Sequence, residues 1–133
     1  MRLLDTNIVG YWMRGEQHII SRLRRWRPCD LAISAITLAE ILYGIEKSPV
    51  RKKQRRDKMN RICNQLDIFE FDQSAARYYA PVRSNLEKKG TPVSERDLQI
   101  AAIALSQGLC VVTHNVSGFS RVPGLTVEDW ATG

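Results

Sequence analysis

The sequence predicts an α/β fold in which a mostly parallel sheet is covered by helices on both faces. Three observations lead there. The short apolar runs in "RLLD", "DLAISAI" and "LCVVTH" read as strands buried on both sides rather than alternating strands with one wet face. Stretches with apolar residues at helical spacing lie between them, so strand and helix alternate along the chain. With 133 residues, 44% hydrophobic and 26% charged, the chain is long enough and apolar enough to bury a core as a single domain over residues 1–133.

Taken in order, "RLLD" is the first strand and "TNIVGYWMRG" the helix after it, stopped at Gly15. In "EQHIISRLRRWR" the residues Ile19, Ile20, Leu23 and Trp26 form an apolar stripe opposite four arginines, and Pro28 ends that helix. "DLAISAI" is the second strand, followed by a helix over "TLAEILYGIEKS" with Leu38, Ile41, Leu42 and Ile45 on its apolar side. "VRKKQRRDKMNRICNQL" is a basic helix with a narrow stripe of Met59, Ile62, Cys63 and Leu66. Next come the strand "DIFEF" and a helix begun by Asp72, with Pro81 as a candidate kink and Gly90 as its stop. Ser94 caps a helix over "SERDLQIAAIALSQG". "LCVVTH" is the fourth strand, "NVSGFSRVPG" a loop and "LTVEDW" a last, short strand.

Composition excludes several functions. No apolar run reaches the ~18 residues a membrane span needs, and the start lacks a long signal-peptide core, so the expected location is the cytoplasm. Three scattered cysteines and two histidines supply neither a disulfide framework nor a zinc site. Twenty Lys and Arg against 14 Asp and Glu give a net charge of +6, which favours polyanionic partners. The runs "RLRRWR" and "RKKQRR" could hold RNA phosphates or an acidic protein segment, although such runs are more often solvated helix faces. Trp12, Tyr43, Tyr78 and Tyr79 read as core or interface rather than base-stacking platforms.

In open parallel sheets ligands bind beyond the carboxyl ends of the strands. Asp5 ends the first strand, Glu40 lies in the first turn of the helix after the second, Asp97 opens the helix before the fourth, and Asn115 follows that fourth strand. Each has a plainer reading. Thr37-x-x-Glu40 and Ser94-x-x-Asp97 match capping boxes, and Asp5 is itself a favoured N-cap residue. Together, however, three converging carboxylates would repel one another unless a cation lay among them. Oxygen-only ligands suit Mg²⁺, with Mn²⁺ as a substitute, and such an ion lowers the pKa of bound water and orients it towards a phosphodiester.

The segments "LLDTN", "AISAITLAEILYGIEKS", "KKGTPVSERDLQIAAIALSQG" and "VVTHNVSGFSRVPGLTVEDW" resemble, in order and spacing, the PIN-domain ribonucleases of the VapC toxin family. That resemblance runs from residue 2 to about 130. It implies a three-layer α/β/α sandwich and a Mg²⁺-dependent endoribonuclease, the toxin of a toxin–antitoxin pair, whose site acids are Asp5, Glu40 and Asp97. It implies supporting roles for Thr6, Asn7 and Thr113, and an RNA substrate, a cognate antitoxin and a homodimer. Some members carry an acid where this chain has Asn115, which leaves open how many metal ions are held. His114 adjoins the site and could touch a phosphate, but metal-bound water makes a histidine base unnecessary.

Two rivals remain at this level. A phosphotransferase using Asp5 as nucleophile, as in haloacid-dehalogenase-like enzymes, needs a second aspartate two residues on, where this chain has Asn7. The other is a non-catalytic RNA-binding or partner-binding module whose acids are only helix caps.

Overall fold

The computed structural model describes residues 1–131. Its elements in chain order are β1 (Arg2–Leu4), α1 (Thr6–Met13), α2 (Gln17–Leu23), a 3-10 turn at Pro28–Asp30, β2 (Leu31–Ser34), α3 (Ala35–Glu46) and α4 (Lys52–Gln65). They continue with β3 (Asp67–Phe69), α5 (Gln73–Lys88), α6 (Glu95–Gln107), β4 (Cys110–Val112), α7 (Val116–Phe119) and β5 (Val127–Glu128). All strand pairs are parallel, and their order is β3-β2-β1-β4-β5.

Successive side chains of a strand point to opposite faces, and two adjacent leucines therefore serve two cores. Leu3, Ala32 and Val111 face one side and pack with Ala101 and Ile103 of α6 and Leu86 of α5. Leu4, Ile33 and Val112 face the other, against Ile8 of α1, Ile19 of α2 and Met59 and Ile62 of α4. Leu4 pairs with Val112 in register, which aligns the ends of β1 and β4. The α/β/α sandwich follows from this alternation.

Five local expectations change. α2 stops at Leu23, because Trp26 leaves the helical stripe to stack on Trp130, with ring centroids 6.1 Å apart and ring planes nearly parallel, and the Arg2 guanidinium lies 3.8 Å over the Trp26 ring. β2 ends at Ser34 rather than continuing to Ile36: the Ser34 hydroxyl accepts the Thr37 N–H at 3.0 Å and starts α3 at Ala35. On α3 only Ile45 of the four expected apolar positions is buried, and Leu42 is exposed. The segment 115–124 is not all loop, since it contains the one-turn α7, which buries Phe119. α5 runs on through Pro81 as a single helix.

Candidate active site

The chain lays down β1, β2 and β3 in one direction, then returns to place β4 on the other side of β1. Connections therefore leave the carboxyl ends of β1 and β4 in opposite directions, which opens a crevice between them. Asp5 and Thr113 are the residues that follow those two strands.

Asp5 is anchored through its backbone, whose N–H donates to the Val112 carbonyl at 2.8 Å. Its side chain is buried, the residue being 4% exposed, and makes no helix-capping bond although Asp5 holds the N-cap position of α1. Instead the Thr113 hydroxyl, itself fully buried, donates to Asp5 Oδ2 at 2.7 Å. The same hydroxyl oxygen accepts the Asn115 N–H at 2.9 Å, and Asn115 Nδ2 donates to Asp97 Oδ2 at 2.8 Å. One continuous chain of hydrogen bonds thus runs from Asp5 to Asp97 through Thr113 and Asn115. The Asp97 N–H is capped by Ser94 Oγ at 3.2 Å, while its carboxylate turns to Asn115.

Two further contacts hold the crevice in shape. Asn7 Oδ1 accepts the His114 N–H at 3.2 Å, tying the segment after β4 to α1. The hydroxyls of Thr6 and Thr37 lie 3.1 Å apart, tying α1 to α3. Thr37 and Ser34 are both fully buried and were not singled out as supports by the sequence reading. The signal was the serine three residues ahead of Thr37 at a strand end, which makes Ser34 the cap in place of Thr37.

Burial pushes the Asp5 carboxyl above the usual carboxylate range. The hydrogen bond from Thr113 and the Thr6 amide pull it back, and the charge of Asp97 pushes it up again. A carboxylate held in this way carries charge that its surroundings only partly compensate, and a cation beside it would relieve that cost. The donors nearby are oxygen and amide groups, which suits a hard divalent ion. Asp5 and Asp97 fit such an ion.

Glu40 is placed differently. It is the sixth residue of α3, in the second turn rather than the first, because α3 begins at Ala35. Its Oε2 accepts Arg96 Nη1 at 2.9 Å across to α6. Among the described residues no three His, Cys, Asp or Glu side chains gather closely enough to hold a metal ion. The fold therefore brings Asp5 and Asp97 together and leaves Glu40 paired with arginine.

The basic run of α4 is largely committed to structure. Arg55 donates to the carbonyls of Ser48 at 2.6 Å and Val50 at 2.9 Å, and also to those of Gly44 and Ile45 at the end of α3. Lys58 Nζ donates to the carbonyls of Trp12 and Met13 at 3.1 Å each, at the end of α1. Lys52 and Arg56 both pair with Glu46. Tyr43 and Tyr78 are exposed rather than core, and the Tyr79 hydroxyl donates to Glu95. His114 Nδ1 lies 3.3 Å from Asp129 Oδ2.

Residues 2–125 match the PIN domain family. The tRNA(fMet)-specific endonuclease VapC of Salmonella typhimurium is 35% identical over 128 residues, covering 96% of each chain. Ribonuclease VapC2 of Rickettsia felis is 38% identical over 132 residues, again covering 96% of each. Among solved structures, DNA-bound VapBC from Salmonella typhimurium superposes with a TM-score of 0.89 at 36% identity, covering 97% of each chain.

Proposed function

The chain belongs to the PIN-domain family, among the VapC ribonucleases, and from that premise we propose that it is the endoribonuclease toxin of a toxin–antitoxin pair. RNA is its substrate, and a cognate antitoxin is its protein partner. We further assign it dependence on Mg²⁺, with Mn²⁺ able to substitute, a homodimeric state and a cytoplasmic place of work. No described helix is long and apolar enough to cross a membrane.

The observation that carries this reading is the hydrogen-bonded chain from Asp5 to Asp97 at the switch point of the sheet. Neither acid spends its carboxylate on a cap, which counts against a module whose acids serve only as helix ends.

Asp5 and Asp97 would hold the cation, with Glu40 as the third acid. The bound ion supplies positive charge to the phosphate and acidity to a water molecule. The chain's own residues do the rest. Thr113 fixes the rotamer of Asp5 by its hydrogen bond and keeps one carboxylate oxygen occupied. Asn115 does the same for Asp97. Burial of Asp5 excludes water from one side of the site and strengthens its interaction with any charge placed opposite. The Asn7 and Thr6 contacts keep α1 in place while the acids are loaded.

The test is cleavage of total RNA by the purified protein with Mg²⁺, with EDTA, and by Asp5→Asn and Asp97→Asn. Each substitution and the chelator should abolish cleavage while circular dichroism stays that of the folded protein. Full cleavage in EDTA, or by both variants, would overturn the assignment.

A further inference from the structure

Arg96 stands one residue before Asp97 and reaches across to Glu40. Its choice of partner is informative. The neighbouring Glu95 is already engaged, accepting from the Tyr79 hydroxyl at 2.5 and 2.7 Å and from Gln99 at 3.2 Å, with Arg83 3.8 Å away. Arg96 thus makes its 2.9 Å bond to Glu40, which lies outside the Asp5-to-Asp97 chain.

Glu40 and Arg96 share the wall of an open depression of 580 Å³, with Ile36, Ala39, Ser94 and Gln99. The guanidinium is 59% exposed there and the Glu40 side chain 29%. Arginine is a fixed positive charge that cannot release its proton at working pH, so it leaves a carboxylate only by moving. An exposed pair of this kind is weak enough to exchange.

We propose that Arg96 is the chain's own counterion for Glu40 and competes with the divalent cation for that carboxylate. Loading the site takes Glu40 from Arg96 and releases the guanidinium into the depression. Arg96 thereby sets how tightly the cation is held. This rests on the reading of Glu40 as a site acid.

The competition is measured without RNA, by titrating Mn²⁺ alone into the full chain, stripped with chelator, and following free Mn²⁺ by electron paramagnetic resonance. Arg96→Met keeps the aliphatic stem and removes the charge. It should tighten Mn²⁺ binding about two- to fivefold at low salt, the range expected for losing one exposed ion pair. The gain should shrink in 0.5 M KCl. Arg96→Lys should stay close to wild type, and Arg96→Gln, which also removes the charge and should tighten binding to the same extent, keeps the test open if the methionine variant fails to fold. Glu40→Gln should weaken binding, and adding Arg96→Met to it should then give no gain. Equal Mn²⁺ affinity in wild type and Arg96→Met, or an undiminished gain in the Glu40→Gln background, would overturn the competition. Asp5→Asn distinguishes this from a wrong site: if Asp5→Asn leaves Mn²⁺ binding unchanged, the site reading itself fails.

Discussion

Thr113→Val gives the sharpest test of how the site is held. Valine fills nearly the same space in a fully buried position, so the change removes a hydroxyl and little else. Two hydrogen bonds go with it: the one given to Asp5 Oδ2 and the one taken from the Asn115 N–H. A hydrogen bond to a charged group contributes about 1.5–3 kcal/mol. The Asn115 amide is only part-buried and can turn to water, so its loss adds about 0.5 kcal/mol. The expected destabilisation at pH 7 without metal is therefore about 2–3.5 kcal/mol, near 10 °C in Tm for a chain of this length.

The pH dependence separates this cause from simple cavity or packing effects. Burial already raises the Asp5 carboxyl above its unfolded value, and the Thr113 bond is what pulls it down. In Thr113→Val it rises further. Below about pH 3.9, the unfolded value, Asp5 is protonated in both states and the charge-dependent part of the loss is absent. The loss sets in as pH passes the wild-type folded value, already above the unfolded one, and is complete above the variant's still higher folded value. Urea unfolding in EDTA at a series of pH values from 3.5 to 7.5 reads this directly, with Thr113→Ser as the control that keeps the hydroxyl. A loss independent of pH, or one below about 0.5 kcal/mol at pH 7, would refute the role given to the Thr113 hydroxyl.

Asn115→Asp adds a carboxylate beside Asp97 and should lower the Mg²⁺ concentration for half-maximal cleavage, while Asn115→Ala should slow cleavage only moderately. Identical metal titrations in all three proteins would place Asn115 outside the site. Added Mg²⁺ or Mn²⁺ should raise the wild-type Tm by mass action, and Asp5→Asn should melt higher than wild type in EDTA yet gain less from metal. Arg55→Ala should cost about 1–2 kcal/mol, because the part-buried carbonyls of Ile45, in the last turn of α3, and Ser48, just beyond it, lose a charged donor. It should leave the salt dependence of RNA binding unchanged, and a shallower salt slope would return Arg55 to the RNA surface.

Much of this molecule was legible along the chain. The pair Leu3–Leu4 at the head of a short apolar run is enough to require a sheet covered on both faces, since the two side chains must point opposite ways. Asp5 directly after that run, and Thr113 directly after "CVV", fall at strand ends by sequence position alone. The spacing of "LLDTN", "TLAE", "SERD" and "VVTHN" carried the family. These features are local: periodicity of 2 or 3.6 and the residue types at element ends fix them before any long-range contact forms. The boundary of α3 was legible only in part, because Ser34 and Thr37 are both acceptable caps and the choice depends on how far β2 pairs with β3.

What only the tertiary structure decided is the partner of each charge. Glu40 was one of the three acids expected at the site from the sequence, and in the folded chain Arg96 of another helix holds it. The run "RKKQRR" reads as a polyanion surface, but Arg55, together with Lys58 just beyond the run, ends on carbonyls at the closing turns of α3 and α1. Arg2 and Glu128, 126 residues apart, pair side by side with the stacked Trp26 and Trp130. A charge's partner is set by which element packs opposite it and by how much water that packing removes. Both are properties of the assembled sandwich, and no window along the chain contains them.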